Sequence, residues 1–310
     1  MKKLFCLALV VLMVLLPACS RKSNRENPDS QPIQAPSFTD ALGNDLSVSD
    51  CGRTVVCSGS FARVWILAGG ELLGATSDFF EDNFSDGTEG VTDIGGLHEP
   101  SLERILALRP SFIILSADIP AEVKLKEALA SAGIPAAYFS VETFDDYLAM
   151  LKICTDLTGR SDLYERNGER IRADIDEIIG RAKDKPSPKV LLVRAGAGKV
   201  AARGGDTMAG AMLKDMGCVN IADTNESLLA DLSMEIIIKE DPDFIFAVAM
   251  GDESKSRRLL EETLQNDPAW SNLSAVKNNR YILLPKDLFH QKPNDRWAES
   301  YEYLWDKLYG

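Results

Sequence analysis

The sequence predicts an α/β protein of two Rossmann-like lobes, each built on a central parallel sheet, that are joined by a single long α-helix. Three observations lead to this fold class. From residue 53 onwards, short apolar runs alternate with helical stretches, which is typical of parallel strands with helical crossovers. Residues 161–184 contain no proline and place isoleucines on one helical face. Finally, one sequence pattern occurs both before and after this helix.

Residues 1–18 have the composition of an export signal. Lys2 and Lys3 precede an uninterrupted apolar run over residues 4–16, which is too short to cross a bilayer. Residues 16–19 resemble the bacterial lipobox, whose cysteine is acylated; the alternative is an ordinary secretory signal with an unrelated cysteine. We therefore expect a signal peptide over residues 1–18, lipidation of Cys19, and an extracytoplasmic protein anchored to the cell membrane by lipid.

The rest of the chain is predicted to consist of a tether and two lobes. Residues 19–37 are polar and rich in serine and proline, so they offer almost nothing to bury and should form a flexible tether. The roughly 270 residues that follow exceed one ordinary core. We divide them into a first lobe over residues 38–160, a linking helix over residues 161–185 and a second lobe over residues 186–310.

The charge of the chain limits its partners. The formal charge is −13, and removal of Lys2 and Lys3 with the signal leaves −15. Such an acidic chain is not expected to bind nucleic acid or to present a basic membrane-binding surface. An acidic chain of this kind suits a protein that presents acidic patches to a basic partner. We expect the protein to be a monomer.

Four cysteines follow Cys19. Cys51 and Cys57 can form a disulfide across a hairpin in an oxidising compartment, or they can be small buried hydrophobic residues. The spacing of the four, which include Cys154 and Cys218, matches no zinc-binding pattern, and the chain has two histidines. A structural metal site is therefore not expected.

The predicted elements follow in the order that the fold class requires. A β-hairpin over residues 38–48 turns at residues 42–45, and a strand over residues 53–57 leads into a helix over residues 61–67. The helix over residues 161–184 would restrict the lobes to small displacements. Five further strands are predicted at residues 112–115, 136–139, 190–193, 244–248 and 281–284.

Residues 99–114 and 231–246 align with each other without a gap. Each copy predicts a helix with a serine N-cap, a turn at a proline and a buried strand, with a glutamate in the first helical turn. Helix capping explains the serine and the glutamate but not the recurring strand, so we interpret the copies as two homologous lobes, each with one acidic helix tip. The paired positions are Ser101 with Ser233, Glu103 with Glu235, Ile105 with Ile237, Pro110 with Pro242, Phe112 with Phe244 and Ile113 with Ile245.

Several motifs resemble those of the iron-complex and cobalamin solute-binding proteins of ABC importers, the class whose lobes are joined by a helix. Residues 95–115 resemble its first-lobe signature, and residues 40–45 resemble its opening hairpin. Ser111 departs from the family, which usually has aspartate after this proline, whereas Asp243 keeps it. Later motifs are matched by residues 131–135, 212–220 and 266–280, so the resemblance extends over the whole chain after the tether.

This resemblance implies the solute-binding subunit of an ABC importer. Such a protein captures an iron complex, a siderophore or haem, between its lobes and delivers it to a permease dimer with its ATPase. In this family the glutamate of each helix tip docks on arginines of the permease, which implies that role for Glu103 and Glu235. No intrinsic cofactor is implied, and cobalamin is the alternative ligand.

We expect the ligand to lie between the lobes, where loops at the strand ends contact it. Arginines suit a ligand with carboxylates, such as a siderophore or the propionates of haem, because a guanidinium binds a carboxylate through two hydrogen bonds. The candidates are Ser60, Phe61, Asp78, Phe79, Phe80 and His98 in the first lobe, and Arg194, Arg203, His290, Lys292 and Arg296 in the second.

His98 and His290 are the only histidines of the chain and are predicted to lie in opposite lobes. The resemblance places His98 where some haem-binding members have an axial ligand, and two imidazoles can ligate haem iron. The alternative is that His290 caps a loop and that His98 is solvated in a glycine-rich turn.

We predict no enzymatic activity, because the chain lacks the G-x-S-x-G, H-E-x-x-H and P-loop motifs. A lipid-anchored enzyme, or a receptor that feeds a sensor, is the alternative from a different class. A free metal ion as ligand is disfavoured because two histidines supply too few ligands.

Overall fold

The computed structural model describes residues 35–81 and 88–310. The predicted signal peptide, Cys19 and residues 19–34 of the predicted tether lie outside the described residues. Residues 35–310 form one compact unit. Among the described residues, no helix has both the length and the apolar character that crossing a bilayer requires.

The first lobe is built on a parallel sheet. Its strands are β1 (Ser37–Thr39), β2 (Asp45–Ser47), β3 (Thr54–Val56), β4 (Leu72–Ala75), β5 (Thr92–Asp93), β6 (Gly95–Gly96), β7 (Glu99–Pro100), β8 (Phe112–Ser116) and β9 (Ala136–Phe139). Five of them form the sheet in the order β5–β4–β3–β8–β9, whereas β1 with β2 and β6 with β7 form antiparallel hairpins. The predicted opening hairpin and the predicted strands at residues 53–57, 112–115 and 136–139 are confirmed.

Helices connect these strands and cover the sheet. The helix α6 (Phe144–Thr158) begins at a capping box between Thr143 and Asp146 and ends at Gly159, whose φ of 71° suits glycine. The predicted helix over residues 61–67 is confirmed, although it begins two residues earlier. The helices of this lobe are α1 (Gly59–Leu67), α2 (Asp78–Glu81), α3 (Leu102–Ala107), α4 (Pro120–Val123), α5 (Lys126–Ser131) and α6 (Phe144–Thr158).

The segment that follows in the chain differs from the predicted uninterrupted α-helix over residues 161–184. It consists of α7 (Ser161–Tyr164), a π-helical turn (Glu165–Glu169) and α8 (Arg170–Ala182). The π-turn lies where Asn167 is buried: the hydroxyl of Tyr147 donates to the Asn167 carbonyl at 2.8 Å, and the Asn167 amide donates to the Leu67 carbonyl at 2.7 Å. Both hydrogen bonds join the π-turn to residues that are distant in sequence.

The second lobe is built on a mixed sheet. β10 (Lys189–Gly196) pairs in parallel with β12 (Val219–Asn220) and β13 (Phe244–Ala249), and β13 pairs in parallel with β14 (Tyr281–Leu283). β11 (Lys199–Ala202) is antiparallel to β10, which the sequence did not predict. The predicted strands at residues 190–193, 244–248 and 281–284 are confirmed.

The α-helices of this lobe flank its sheet. A π-turn (Glu261–Gln265) and two 3-10 turns (Trp270–Asn272 and Asn294–Arg296) accompany them. The helices are α9 (Met208–Asp215), α10 (Ile221–Thr224), α11 (Glu226–Ala230), α12 (Met234–Glu240), α13 (Glu253–Leu260), α14 (Ser274–Lys277), α15 (Lys286–Phe289) and α16 (Trp297–Tyr309).

The internal repeat has the same structure in both lobes. The hydroxyl of Ser101 accepts a hydrogen bond from the Arg104 N–H, and that of Ser233 accepts one from the Ile236 N–H, each at 3.4 Å. Each serine starts a short helix, α3 or α12, which is followed by a buried strand, β8 or β13. The predicted succession of capped helix, turn and strand is therefore confirmed in both copies.

One hydrophobic core extends through both lobes. It contains Val56 and Phe112 from the first sheet and Val190 and Phe246 from the second. Trp297 of α16 is 1% exposed and packs edge-on against Phe144 of α6 at a centroid distance of 5.8 Å. The two lobes are therefore joined by close packing as well as by the chain.

Candidate functional site

A cavity of about 220 Å³ lies at the carboxyl ends of β10 and β13, the edge at which α/β proteins bind their ligands. The first lobe borders it through Glu142, which follows β9. Its lining combines apolar walls with several charged groups: Glu142, Leu192, Arg194, Arg203, Thr207, Met208, Ala209, Val248, Met250, Phe289, His290 and Lys292.

Arg194 reaches the cavity because side chains alternate along β10. Leu192 packs in the core shared by the lobes, while Leu191 and Val193 pack in a separate core on the other face of the sheet. Arg194 therefore lies on the face that is directed towards the first lobe. Partial burial and the neighbouring charge of Arg203 lower the pKa of Arg194, and both arginines line the same cavity.

Arg203 lies in the loop between β11 and α9. The loop is held by the Arg203 N–H, which donates to the Leu192 carbonyl at 2.9 Å, and by the Asn220 amide, which donates to the Arg203 carbonyl at 2.7 Å. Gly210 lets α9 approach this loop, since a Cβ there would lie 1.9 Å from the Gly204 carbonyl oxygen. The Nε of Arg203 is buried and has no hydrogen-bond partner among the described residues.

The cavity contains more positive than negative charge. Among its lining residues, Arg194, Arg203 and Lys292 are cationic and Glu142 is the one carboxylate. Within residues 35–81 and 88–310, no ion pair joins Arg194 or Arg203 to a carboxylate. Glu142 Oε1 instead lies 2.9 Å from Lys292 Nζ. The two arginines can therefore receive an anionic group of a ligand.

His290 follows α15 and lines the cavity. Its Nε2 accepts a hydrogen bond from the Gly251 N–H at 3.4 Å, so it faces the loop after β13. His98 is exposed in the turn between β6 and β7 and is not among the residues that line the cavity. The structure therefore does not bring the two histidines together there, and a haem iron held by both gains no support.

None of the six candidates predicted for the first lobe is among the described residues that line the cavity. Phe61 is 4% exposed and Phe79 is fully buried, because α1 and α2 turn both rings into the core of the lobe. The Asp78 carboxylate makes a structural hydrogen bond, in which its Oδ2 accepts from the Gly59 N–H at 2.8 Å. Ser60 contacts the second lobe through its carbonyl, which accepts from the Asn294 amide at 3.0 Å.

Two further candidates also lie outside the cavity lining. Arg296 forms ion pairs with Asp287 and Glu299, each at 2.7 Å, on the surface of the second lobe. Phe80 is 37% exposed and packs edge-on against Phe79. Phe61 and Phe79 each follow a strand end, but the helices α1 and α2 direct their rings into the core. Arg296 lies in the 3-10 turn before α16.

The candidate list missed Glu142, Thr207, Met208 and Met250, all of which line the cavity. Glu142 could have been found, since it follows the predicted strand over residues 136–139 just as other candidates follow theirs. Met250 likewise comes directly after β13. Thr207 and Met208 depend on β11, which was not predicted, so the sequence contained no clear signal for them.

The two acidic helix tips are accessible. Glu103 and Glu235 lie in the first turns of α3 and α12, and both are exposed. Their equivalent positions in the repeat present one carboxylate on each lobe. This arrangement suits a partner with two equivalent basic sites.

The four described cysteines are free thiols. Cys57, Cys154 and Cys218 have raised pKa values because of burial. Cys51 is half-buried and its Sγ lies 3.5 Å from the Leu157 carbonyl. Among residues 35–81 and 88–310, no group of three or more His, Cys, Asp or Glu side chains is arranged to hold a metal ion.

The chain is similar to proteins that bind solutes. A family model described as periplasmic binding protein matches residues 75–288. The iron-uptake system-binding protein of Bacillus subtilis is 25% identical over 207 residues, which are 64% of this chain and 63% of that protein. The chain thus aligns with somewhat less than two thirds of the length of this relative.

Solved structures show the same fold. The structure of Staphylococcus aureus IsdE complexed with heme has a TM-score of 0.73 at 17% identity and covers 83% of this chain and 99% of that one. Staphylococcus aureus SirA complexed with staphyloferrin B has a TM-score of 0.71 at 20% identity and covers 88% of this chain and 98% of that one. At this level of identity the likeness concerns the two-lobed α/β fold.

Proposed function

The chain belongs to the periplasmic binding protein family, and we propose that it is the solute-binding subunit of an ABC importer for an iron complex, a siderophore or haem. The observation that carries this proposal is the pair of arginines, Arg194 and Arg203, in a cavity with apolar walls. Among the described residues neither arginine forms an ion pair with a carboxylate, so both guanidinium groups can bind the carboxylates of such a complex.

The size of the cavity indicates how the ligand is held. Its volume of about 220 Å³ is below the roughly 300–1,000 Å³ of sites that enclose drug-sized ligands. We infer that the cavity encloses the anionic part of the ligand, while the remainder extends outwards between the lobes. The apolar side chains of Leu192, Val248 and Met250 then contact the less polar part of the complex.

Delivery requires contact with a membrane permease. We infer that Glu103 and Glu235 dock on basic residues of a permease dimer, because their equivalence in the repeat suits a two-fold partner. Lipidation at Cys19 would anchor the protein to the cell membrane, outside the cytoplasm, and keep it close to that partner.

Purification of residues 35–310 from the native host, with absorbance and mass spectrometry of whatever co-purifies, tests the assignment. We expect one equivalent of an iron complex, seen as the charge-transfer band of a ferric siderophore or the Soret band of haem. The Arg194→Ala/Arg203→Ala variant should contain much less of it. Turnover of the bound molecule, or retention of it by the arginine variant, would contradict the proposal.

A further inference from the structure

The Glu142–Lys292 ion pair joins the two lobes at the cavity. Glu142 lies between β9 and α6 in the first lobe, and its N–H donates to the Asp146 carboxylate at 3.1 Å. Lys292 lies between α15 and α16 in the second lobe, and its Nζ is 2.9 Å from Glu142 Oε1. Both side chains line the cavity, so the pair forms part of its wall.

The segment that contains Lys292 is fixed to the first lobe by two further contacts. The Asn294 amide donates to the Ser60 carbonyl at 3.0 Å, and Asp295 lies 3.4 Å from the Arg63 guanidinium. Neither Asn294 nor Asp295 lines the cavity. Both contacts tie the chain next to Lys292 to the first lobe in addition to the ion pair with Glu142.

The charge of Glu142 acts on Arg194 as well. Its attraction raises the pKa of Arg194, against burial and the charge of Arg203, which lower it. With Glu142 in place, the three cations of the lining exceed the carboxylates by two positive charges. The side chain of Lys292 is 23% exposed and that of Glu142 is 44% exposed, so solvent only partly screens these interactions.

We propose that Glu142 is an internal counter-ion that competes with the anionic group of the ligand and so sets the charge selectivity of the cavity. An anion that enters must share Lys292 and Arg194 with Glu142 or displace its carboxylate. With Glu142 present, the net charge of the cavity lining matches a ligand with two negative charges. Without Glu142, it matches a ligand with three negative charges. This inference rests on the proposed function of the cavity as the ligand site.

Citrate and succinate, which carry three and two carboxylates, are suitable probes. The full chain in detergent at about pH 7.5 would be titrated calorimetrically with each anion, as wild type, Glu142→Gln and Glu142→Asp. Glu142→Gln should bind citrate at least about fivefold more tightly than the wild type does. Its affinity for succinate should increase less, because Coulomb attraction increases with ligand charge. Glu142→Asp keeps the charge and should resemble the wild type.

Asp156→Asn is the matched control, since it removes the carboxylate of another ion pair, with Lys152 on α6, that lies outside the cavity. Its citrate affinity should stay within about twofold of the wild type. If Glu142→Gln bound citrate no more tightly than the wild type and had the same unfolding midpoint, this inference would be overturned. The proposed function of the cavity would not be affected by that result. If no form binds citrate, or if Arg194→Ala/Arg203→Ala binds it unchanged, the assignment of the cavity as an anion site fails as well.

Discussion

Ser111 and Asp243 make the same pair of hydrogen bonds in the two lobes. The Ser111 hydroxyl accepts from the Arg53 N–H at 3.1 Å, and the Ser111 N–H donates to the Arg53 carbonyl at 2.9 Å. The Asp243 carboxylate accepts from the Lys189 N–H at 2.8 Å, and the Asp243 N–H donates to the Lys189 carbonyl at 2.7 Å. A hydroxyl therefore replaces a carboxylate at this turn without changing its structure.

This equivalence predicts how the turn responds to substitution. Ser111→Ala should lower the free energy of unfolding by roughly 0.5–1.5 kcal/mol, and Asp243→Ala by somewhat more because its acceptor is charged. Asp243→Ser should recover most of that loss. Urea unfolding of the three variants measures the effects. If Asp243→Ser lost as much unfolding free energy as Asp243→Ala, the hydroxyl would not be an adequate substitute for the carboxylate.

The arginines of the cavity are expected to provide most of the affinity for an anionic ligand. Arg194→Ala and Arg203→Ala should each weaken binding of ferric citrate by about tenfold or more, because each removes charge-assisted hydrogen bonds. Fluorescence titration measures the change. Arg296→Ala is the control, since that arginine pairs with Asp287 and Glu299 outside the cavity. Equal losses of affinity in all three variants would show that the effect comes from the overall charge of the protein.

Glu122 should make stability depend on pH. Its side chain is fully buried, and this burial raises its pKa from 4.5 to about 8, although Oε2 accepts from the Ser116 N–H at 2.6 Å. Between about pH 4.5 and pH 8 the folded state therefore binds more protons at Glu122 than the unfolded state does. Its contribution to stability is complete below the unfolded pKa and is lost as pH rises through the folded pKa.

The matched variant for this effect is Glu122→Gln, which keeps an oxygen acceptor for the Ser116 N–H. The wild type should lose up to about 1.4 kcal/mol of unfolding free energy per pH unit across the middle of that window relative to the variant. Denaturant unfolding at several pH values between 5 and about 9 gives the comparison. If the unfolding free energies of the two proteins changed in parallel with pH, Glu122 would not titrate in this pH range.

The repeated helix tips predict a defect in transport without a defect in ligand binding. The Glu103→Arg/Glu235→Arg variant should abolish uptake of the iron complex by cells while its affinity for that complex stays unchanged, because both residues lie on the exposed surface. Glu127→Arg/Glu262→Arg makes the same charge change at one exposed site per lobe and should transport normally. Normal uptake by the Glu103→Arg/Glu235→Arg protein would exclude docking through these two residues.

The sequence predicted the framework because apolar runs and caps act locally. The strand β8, the capping serines Ser101 and Ser233 and the buried strand β13 were all visible as patterns. The π-turn was not predicted; it lies where the hydroxyl of Tyr147, twenty residues away, donates to the Asn167 carbonyl. Local periodicity contains no information about such tertiary hydrogen bonds.

The candidate site was predictable only in part. Arg194, Arg203, His290 and Lys292 were found because they lie near the carboxyl ends of strands or in the loops beside them. Phe79 satisfied the same rule but is buried, because a short helix after β4 turns its ring inwards. Orientation at a strand end depends on the next element, and that element was too short to be recognised from its sequence.

The core that passes through both lobes has a thermodynamic consequence. Trp297 and the cluster around Phe144 and Tyr147 are packed together across the junction, so a wide separation of the lobes would expose them to water. Ligand binding that leaves this packing intact changes the hydration of the cavity and of the ligand, and little else. We expect a small negative heat-capacity change in calorimetry at several temperatures, limited to the apolar surface that the ligand itself covers.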